Sequence, residues 1–333
     1  MAQSLYLFRA GRLRRQQNTL LFETPPPHSE KRYIPIAEVR DIFAMGPLRL
    51  NSQTLRFLGQ KGIPVHVFTH YGTYAGTYWP RARHTSGELL IAQVQHAQTP
   101  ELRLRIAQQF VLGAAYHMRR NLLYYHNRGT DLSQPLAFME ERIARIPTTT
   151  TIPDLMGEEG KIRGAYYQAW QAILNLPEPF LRERRPPTTL VNALVSFLNT
   201  LLYAHTLSEI YHTPLHPSVS FLHEPRTRRF SLALDLAEPF KPLVVDRLVF
   251  RLLNRKELTL ADLEAIGRVE GVFFREEARK RIVRAFMEVL GTTVQHRRLR
   301  RSVSYRQLLR LEAYKLMRHL LDMEPYTVFK AWW

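Results

Sequence analysis

Two hydrophobic rhythms divide this chain. Up to about residue 80 the apolar residues come in short runs: Leu5–Phe8, Thr19–Phe22, Tyr33–Ile36, Ile42–Met45 and Val65–Phe68. Turn formers separate them, at Gly11, Asn18, Pro25-Pro26-Pro27, Gly46-Pro47 and Tyr71-Gly72. Short apolar or β-forming runs between such residues predict strands. Asn51 to Lys61 departs from this rhythm, with Leu55, Phe57 and Leu58 at helical spacing and Gly62 placed to end a helix. Residues 1–80 therefore read as a small β-rich domain with one helix.

Residues 81–90 are mostly polar and basic and read as a linker. From 91 to 333 the period is helical. Thr99-Pro100-Glu101 has the form of a helix start, with a cap, a proline in the first turn and an acid at the positive end of the dipole. The helix it opens runs towards Tyr125. Further helices are predicted near 135–145, 154–174, 189–210, 240–255, 260–268, 275–290 and 303–321, with a loop at 148–151. Thr259 and Asp262 are spaced as a capping box for the 260–268 helix. The predicted fold class is α+β multidomain, a small β-rich N-terminal domain followed by a larger all-α domain.

Charge changes the picture next. The 333 residues hold 47 Lys and Arg against 29 Asp and Glu, a net charge of +18. Such an excess points to a polyanionic partner, nucleic acid or an anionic membrane surface. The most apolar stretch, Leu190–Ala204, is broken by Asn192, Ser196 and Asn199 and reads as a buried helix rather than a membrane span. The N-terminal residues lack the apolar core of a signal peptide. No membrane association and a cytoplasmic location are the expectations. The chain has no cysteine, which excludes disulfides, thiolate metal sites and cysteine nucleophiles. It also lacks Gly-x-x-x-x-Gly-Lys, Gly-x-Gly-x-x-Gly and Gly-x-Ser-x-Gly patterns.

Within this basic chain a few acids and one histidine stand out. Asp154 reads as the N-cap of the helix that carries Gly157-Glu158-Glu159-Gly160. Leu155, Ile162, Tyr166, Ala169 and Ile173 form its apolar stripe. At about 100° per residue Glu159 falls near the centre of that stripe, Glu158 nearer its edge, and Lys161 and Arg163 further outward. A carboxylate on a buried face calls for a charged partner or a metal. The alternative is a first-turn acid favoured by the dipole. His223 lies in Phe221-Leu222-His223-Glu224-Pro225, as a core histidine or a ligand. Asp235 and Glu238 share a face if helical, or act as a capping pair starting a helix at Pro239. Oxygen and imidazole donors suit Mg²⁺ or Mn²⁺. Arginine clusters at Arg182, Arg184 and Arg185, at Arg226, Arg228 and Arg229, and at Arg297, Arg298, Arg300 and Arg301 suit a phosphate backbone. Tyr166, Tyr167 and Trp170 are candidates for base stacking, with core packing the competing role.

The order of these segments resembles the CRISPR-associated integrase of spacer acquisition, the universal Cas-one family. The resemblance runs through Leu155-Met156-Gly157-Glu158-Glu159-Gly160, Arg185-Pro186-Pro187 with Asn192-Ala193-Leu194, Phe221–Pro225, Ser231–Glu238 and Pro242–Arg247. It extends to Ile34-Pro35-Ile36 and Gly62–Val65 in the first domain. It implies a metal-dependent DNA integrase and endonuclease acting by 3′-hydroxyl attack on a phosphodiester. Glu159, His223 and Glu238 become the implied metal ligands and catalytic residues, with Asp235 as a supporting carboxylate. Arg184, Arg185, Arg226, Arg228, Arg229, Arg297 and Arg298 become the implied DNA contacts. The implied partners are double-stranded and branched DNA, the small Cas-two protein, and a second copy of the chain joined through the N-terminal domain. Two positions depart from the family's pattern: Pro239 stands where a second acid is frequent, and Thr189 where an Asp is. A structure-specific repair nuclease and a non-catalytic DNA-binding scaffold are the competing readings.

Overall fold

The computed structural model describes residues 2–332 except 28, 82–83, 184–185, 226–229 and 267–268. Two compact units divide the chain, Met1–Thr85 and Ser86–Trp333. The first contains β1 (Gln3–Leu7), β2 (Gly11–Gln16), β3 (Thr19–Glu23), β4 (Lys31–Pro35), β5 (Val39–Ala44), β6 (Leu48–Arg49), α1 (Ser52–Lys61), β7 (Val65–Phe68) and β8 (Tyr74–Tyr78). Its strands form two sheets, in the orders β1-β5-β7-β8 and β4-β3-β2-β6. Leu5, Leu13, Leu20, Ile34, Ile42, Phe57, Leu58 and Val65 fill one core between them. α1 starts where the Asn51 side chain accepts from Thr54 N–H at 2.9 Å and stops at Gly62, whose φ of 68° suits a residue without Cβ.

The second unit contains α2 (Gly87–Gln98), α3 (Pro100–His126), α4 (Ser133–Arg145), α5 (Ile152–Gln168), α6 (Trp170–Leu174), α7 (Leu190–Tyr211), α8 (Ser231–Ala237), α9 (Arg247–Asn254), β9 (Leu263–Ile266), β10 (Val269–Phe274), α10 (Glu276–Gly291), β11 (Thr293–His296), β12 (Arg301–Ser304) and α11 (Tyr305–Leu320). It is not all-α, because β9–β10 and β11–β12 form antiparallel hairpins. The Thr259–Asp262 capping box does form, but it closes a single 3₁₀ turn, Leu260–Asp262, ahead of the β9–β10 hairpin in place of a 260–268 helix. α2 begins inside the stretch read as a linker, with Ser86 accepting from Leu89 N–H at 3.1 Å. Thr99 makes no side-chain cap to α3; its hydroxyl donates back to Gln95 C=O.

α3 packs against α2, α4, α5 and the 238–246 segment. α7 is long and apolar enough to cross a membrane, with a mean hydropathy of 1.3, but most of its surface is buried in the protein. Its buried Glu209 is neutralised by Arg306 and Arg310 of α11, at 2.7 and 2.8 Å. Tyr166 and Trp170 are fully buried, so core packing is their role.

Candidate active site

The site has a histidine half and an acid half. The histidine half is a loop hung on one buried carboxylate. Asp235 sits inside α8 with no exposed surface. Its Oδ2 accepts from Phe221 N–H at 2.7 Å and Leu222 N–H at 2.9 Å. Its Oδ1 accepts from His223 N–H at 3.0 Å and from His223 Nδ1 at 2.7 Å. A carboxylate only accepts, so Nδ1 carries the proton and the Nε2 lone pair is left for a ligand. Arg103 of α3 braces the same loop, donating to Phe221 C=O at 2.7 Å and to Glu224 at 2.6 Å. Gln93 of α2 clamps the preceding turn through His216 and Val219. The capping-pair reading of Asp235 and Glu238 is therefore incorrect: the helix is already running there, and Asp235 caps a distant loop.

The acid half is held by ion pairs. Glu159 and Arg163 lie one turn apart on α5, and Arg163 Nε donates to Glu159 Oε1 at 2.5 Å. The same guanidinium donates to Glu238 Oε2 at 2.9 Å. Lys241 pairs with Glu238 Oε1, which lies 3.8 Å from His223 Nε2. Glu159, His223 and Glu238 are thus brought together from α5, the 221–223 loop and the end of α8. Burial pushes the Glu238 carboxyl up, but Lys241, Arg163 and His223 outweigh it and hold the group well below the usual carboxylate range. Arg163 is partly buried, and desolvation works against its charge, yet Glu159 and Glu238 raise its pKa well above the ordinary value. Next to this cluster burial raises the Asp246 carboxyl to about 7, against the pull of Arg163 and the Tyr166 hydroxyl.

Glu238 stands where the helical run changes pitch. After α8 the chain makes a 3₁₀ turn, Glu238–Phe240, then a π-turn, Lys241–Asp246, before α9. Pro239 and Pro242 lack N–H donors, so a regular α-helix ladder cannot pass through them.

Several neighbours sit differently from the sequence expectation. Glu158, not Glu159, is the more buried of the pair, 5% exposed, and it is engaged by Lys161 at 2.7 Å and Arg142 at 3.7 Å. Glu159 keeps 22% of its side chain exposed. Arg163 does not face outward. α5 starts two residues before Asp154, and Thr151 is its N-cap, accepting from Asp154 N–H at 3.2 Å. Arg184, Arg185, Arg226, Arg228 and Arg229 lie outside the described residues. Arg297 and Arg298 are exposed between β11 and β12, Arg297 over the Trp332 ring and Arg298 paired with Glu324 at 3.1 Å. Sequence reasoning passed over Arg163, Lys241 and Arg103. The first two had a signal: each lies three or four residues beyond a proposed ligand, the spacing of helical ion pairs.

As the side chains lie, no group of three His, Asp or Glu residues among those described is arranged to hold a cation, because Arg163 and Lys241 occupy the carboxylates. The donor set nevertheless fits a hard divalent ion: carboxylate oxygens and one imidazole nitrogen oriented by a second carboxylate. His223 Nε2 and Glu238 Oε1 are already neighbours at 3.8 Å, a gap that a cation with bonds of about 2.1 Å spans.

Residues 5–288 match the family model described as CRISPR associated protein Cas1. The chain is 42% identical to a CRISPR-associated endonuclease Cas1 of Fusobacterium nucleatum, over all of this chain and 98% of that one. A Cas1 protein from Thermotoga maritima has a similar structure, with a TM-score of 0.85, 35% identity, and coverage of 98% of this chain and 100% of the other. A casposase bound to its integration product shares the fold at a TM-score of 0.85 with 19% identity, over 98% of this chain and 92% of its own.

Proposed function

The chain belongs to the CRISPR-associated Cas1 family, and from that membership we propose a divalent-metal-dependent DNA endonuclease and integrase whose ligands are Glu159, His223 and Glu238. The meeting of Glu159 and Glu238 on Arg163, with His223 Nε2 beside Glu238, carries the reading. Glu159, His223 and Glu238 would hold Mg²⁺ or Mn²⁺, which would supply charge stabilisation at the attacked phosphate and activation of the 3′-hydroxyl of an incoming DNA. One phosphodiester bond forms as another breaks, so the reaction needs no nucleotide cofactor.

The protein's own groups prepare this chemistry. Asp235 fixes the His223 ring and its tautomer. Arg163 and Lys241 keep positive charge beside the carboxylates, where a phosphate must enter. The basic clusters, Arg297 and Arg298 among them, take the DNA backbone, with double-stranded and branched DNA as substrates. The family resemblance supports a Cas-two partner, a homodimer through the N-terminal unit, and action in the cytoplasm.

Strand transfer of a 3′-hydroxyl DNA end into a supercoiled acceptor tests the assignment. Glu159→Ala and His223→Ala should lower the rate by about two orders of magnitude or more while binding to branched DNA survives. Glu158→Ala, whose carboxylate faces Lys161 and Arg142, should be far milder. Folded Glu159 and His223 variants that join DNA at the parent rate, with the partner present, would favour a scaffold over an enzyme.

A further inference from the structure

α3 turns one edge towards the segment that carries Glu238. Gly113, His117 and Asn121 recur every four residues along it and so share a face. A Cβ on Gly113 would lie 2.5 Å from Val328 Cγ2 and 3.1 Å from Pro239 Cβ, so the absent side chain lets α3 approach both. One turn on, the His117 ring is fully buried and spans two partners. Nδ1 lies 2.7 Å from Pro239 C=O, and Nε2 lies 2.9 Å from Ala331 N–H. A carbonyl only accepts and an amide N–H only donates, so the ring is the neutral tautomer with Nδ1–H donating and Nε2 accepting. A turn further, Asn121 donates to Pro242 C=O at 2.8 Å and accepts from Arg247 at 2.8 Å.

Pro239 and Pro242 deprive the Glu238 turn of two backbone donors, so bonds from outside the segment weigh more in fixing its position. His117 also touches a second element. The C-terminal segment is seated by Tyr326 hydroxyl and Phe329 N–H on Glu312, at 2.6 and 3.0 Å. Phe329 stacks on Phe240 with ring centroids 5.6 Å apart, and Tyr116 hydroxyl donates to Ala331 C=O at 2.8 Å.

We propose that His117 is a positioning residue for the candidate metal centre: it suspends the Glu238 turn from α3 and couples that turn to the seated 326–331 segment. The proposal rests on Glu238 being a metal ligand. Asparagine and glutamine separate the two bonds. The amide nitrogen of Asn falls near the place of Nδ1, so His117→Asn keeps donation to Pro239 and loses Ala331. The longer Gln reaches the place of Nε2, so His117→Gln keeps Ala331 and loses Pro239. Both give up comparable ring volume.

The measurement is Mn²⁺ affinity of the full chain, by electron paramagnetic resonance of free Mn²⁺, beside thermal melting in chelator. His117→Gln should weaken Mn²⁺ about 10-fold or more, the usual cost of losing a group that orients a ligand. His117→Asn should stay within about threefold of the parent, although both variants melt earlier by similar amounts. Equal Mn²⁺ affinities for the two would overturn the positioning role and leave a packing role only. Glu238→Gln is the control. If it loses Mn²⁺ while both His117 variants bind like the parent, the positioning role alone falls. If Glu238→Gln binds like the parent, the metal assignment fails and takes this proposal with it. Should both His117 variants fail to fold, Tyr326→Phe loosens only the C-terminal seat. A rise of about twofold or more in its Mn²⁺ dissociation constant supports the coupling, and an unchanged constant overturns it.

Discussion

The His223 loop and the Glu159–Glu238 pair meet in one place but are held there by different forces. Asp235 receives three consecutive backbone N–H groups and the imidazole at 2.7–3.0 Å, the bonds from Phe221 and Leu222 buried and those from His223 part-buried. Bonds of that kind have one geometry and are costly to leave unmade. Glu159 and Glu238 are instead tied through Arg163 and Lys241, long side chains that exchange partners without unfolding anything. The difference separates what must be rigid from what must respond. Under the proposed metal assignment, the ring nitrogen has to be aimed beforehand, whereas the carboxylates have to release Arg163 and Lys241 to receive a cation.

The comparison breaks most sharply at Asp235. Asp235→Ala orphans three backbone donors, two of them in buried bonds, and frees the His223 ring. We expect a stability loss of about 3–5 kcal/mol in urea unfolding together with collapse of strand transfer. Glu159→Ala should abolish strand transfer just as fully while leaving the urea midpoint close to the parent's, because its carboxylate is partly open to solvent. An Asp235 variant that unfolds with the parent would mean the loop is not hung on that carboxylate.

Arg163 gives the next largest effect. Arg163→Met leaves the buried Glu238 without one of its two cations. Melting in chelator should show a loss of about 3 kcal/mol, the scale for stranding one partner of a buried pair. Added Mn²⁺ should recover more of that loss than the parent gains from the same addition, since the metal takes over the missing charge. Equal Mn²⁺ stabilisation of variant and parent would show that Arg163 and the cation do not compete for the same carboxylates.

The same division explains what could be read from the sequence. Local signals were legible: Asn51 and Gly62 bound α1, and the Thr259–Asp262 box forms. Long-range demands were not. Helical phase put Glu159 at the centre of the apolar stripe, yet Glu158 is the buried acid, because Arg142 from α4 and Lys161 neutralise it there. Asp235 looked like a helix cap because its true partners lie 12 to 14 residues upstream in a loop with no periodicity. The pitch change at 238–246 could be suspected from Pro239 and Pro242, but not the side chains on α3 that meet its carbonyls. The hairpins β9–β10 and β11–β12 were missed because their strands are only four to six residues long, too short for a two-residue alternation to stand out from the helical pattern around them.

The smallest effect concerns pH, and it isolates the acid half, where two buried titratable groups flank the Glu238 turn. Burial lowers the His117 pKa from 6.5 to about 4, despite its bond to Pro239. Between those values the unfolded chain binds a proton that the fold excludes, so the contribution of His117 rises with pH across that window and is lost as pH falls. Asp246 runs the other way. Its carboxyl is raised from 3.8 to about 7 by burial, so the fold holds a proton that the unfolded chain has released, and its contribution falls as pH rises. Each slope is about 1.4 kcal/mol per pH unit where the group is fully linked, and between about pH 5 and 6 the two oppose each other. Stability of the parent should therefore change little there on their account. Asp246→Asn should expose the upward slope of His117, and His117→Asn the downward slope of Asp246, each relative to the parent in urea melts stepped through that range. Variants whose stabilities track the parent in parallel would show that neither group is held in its buried, uncharged form.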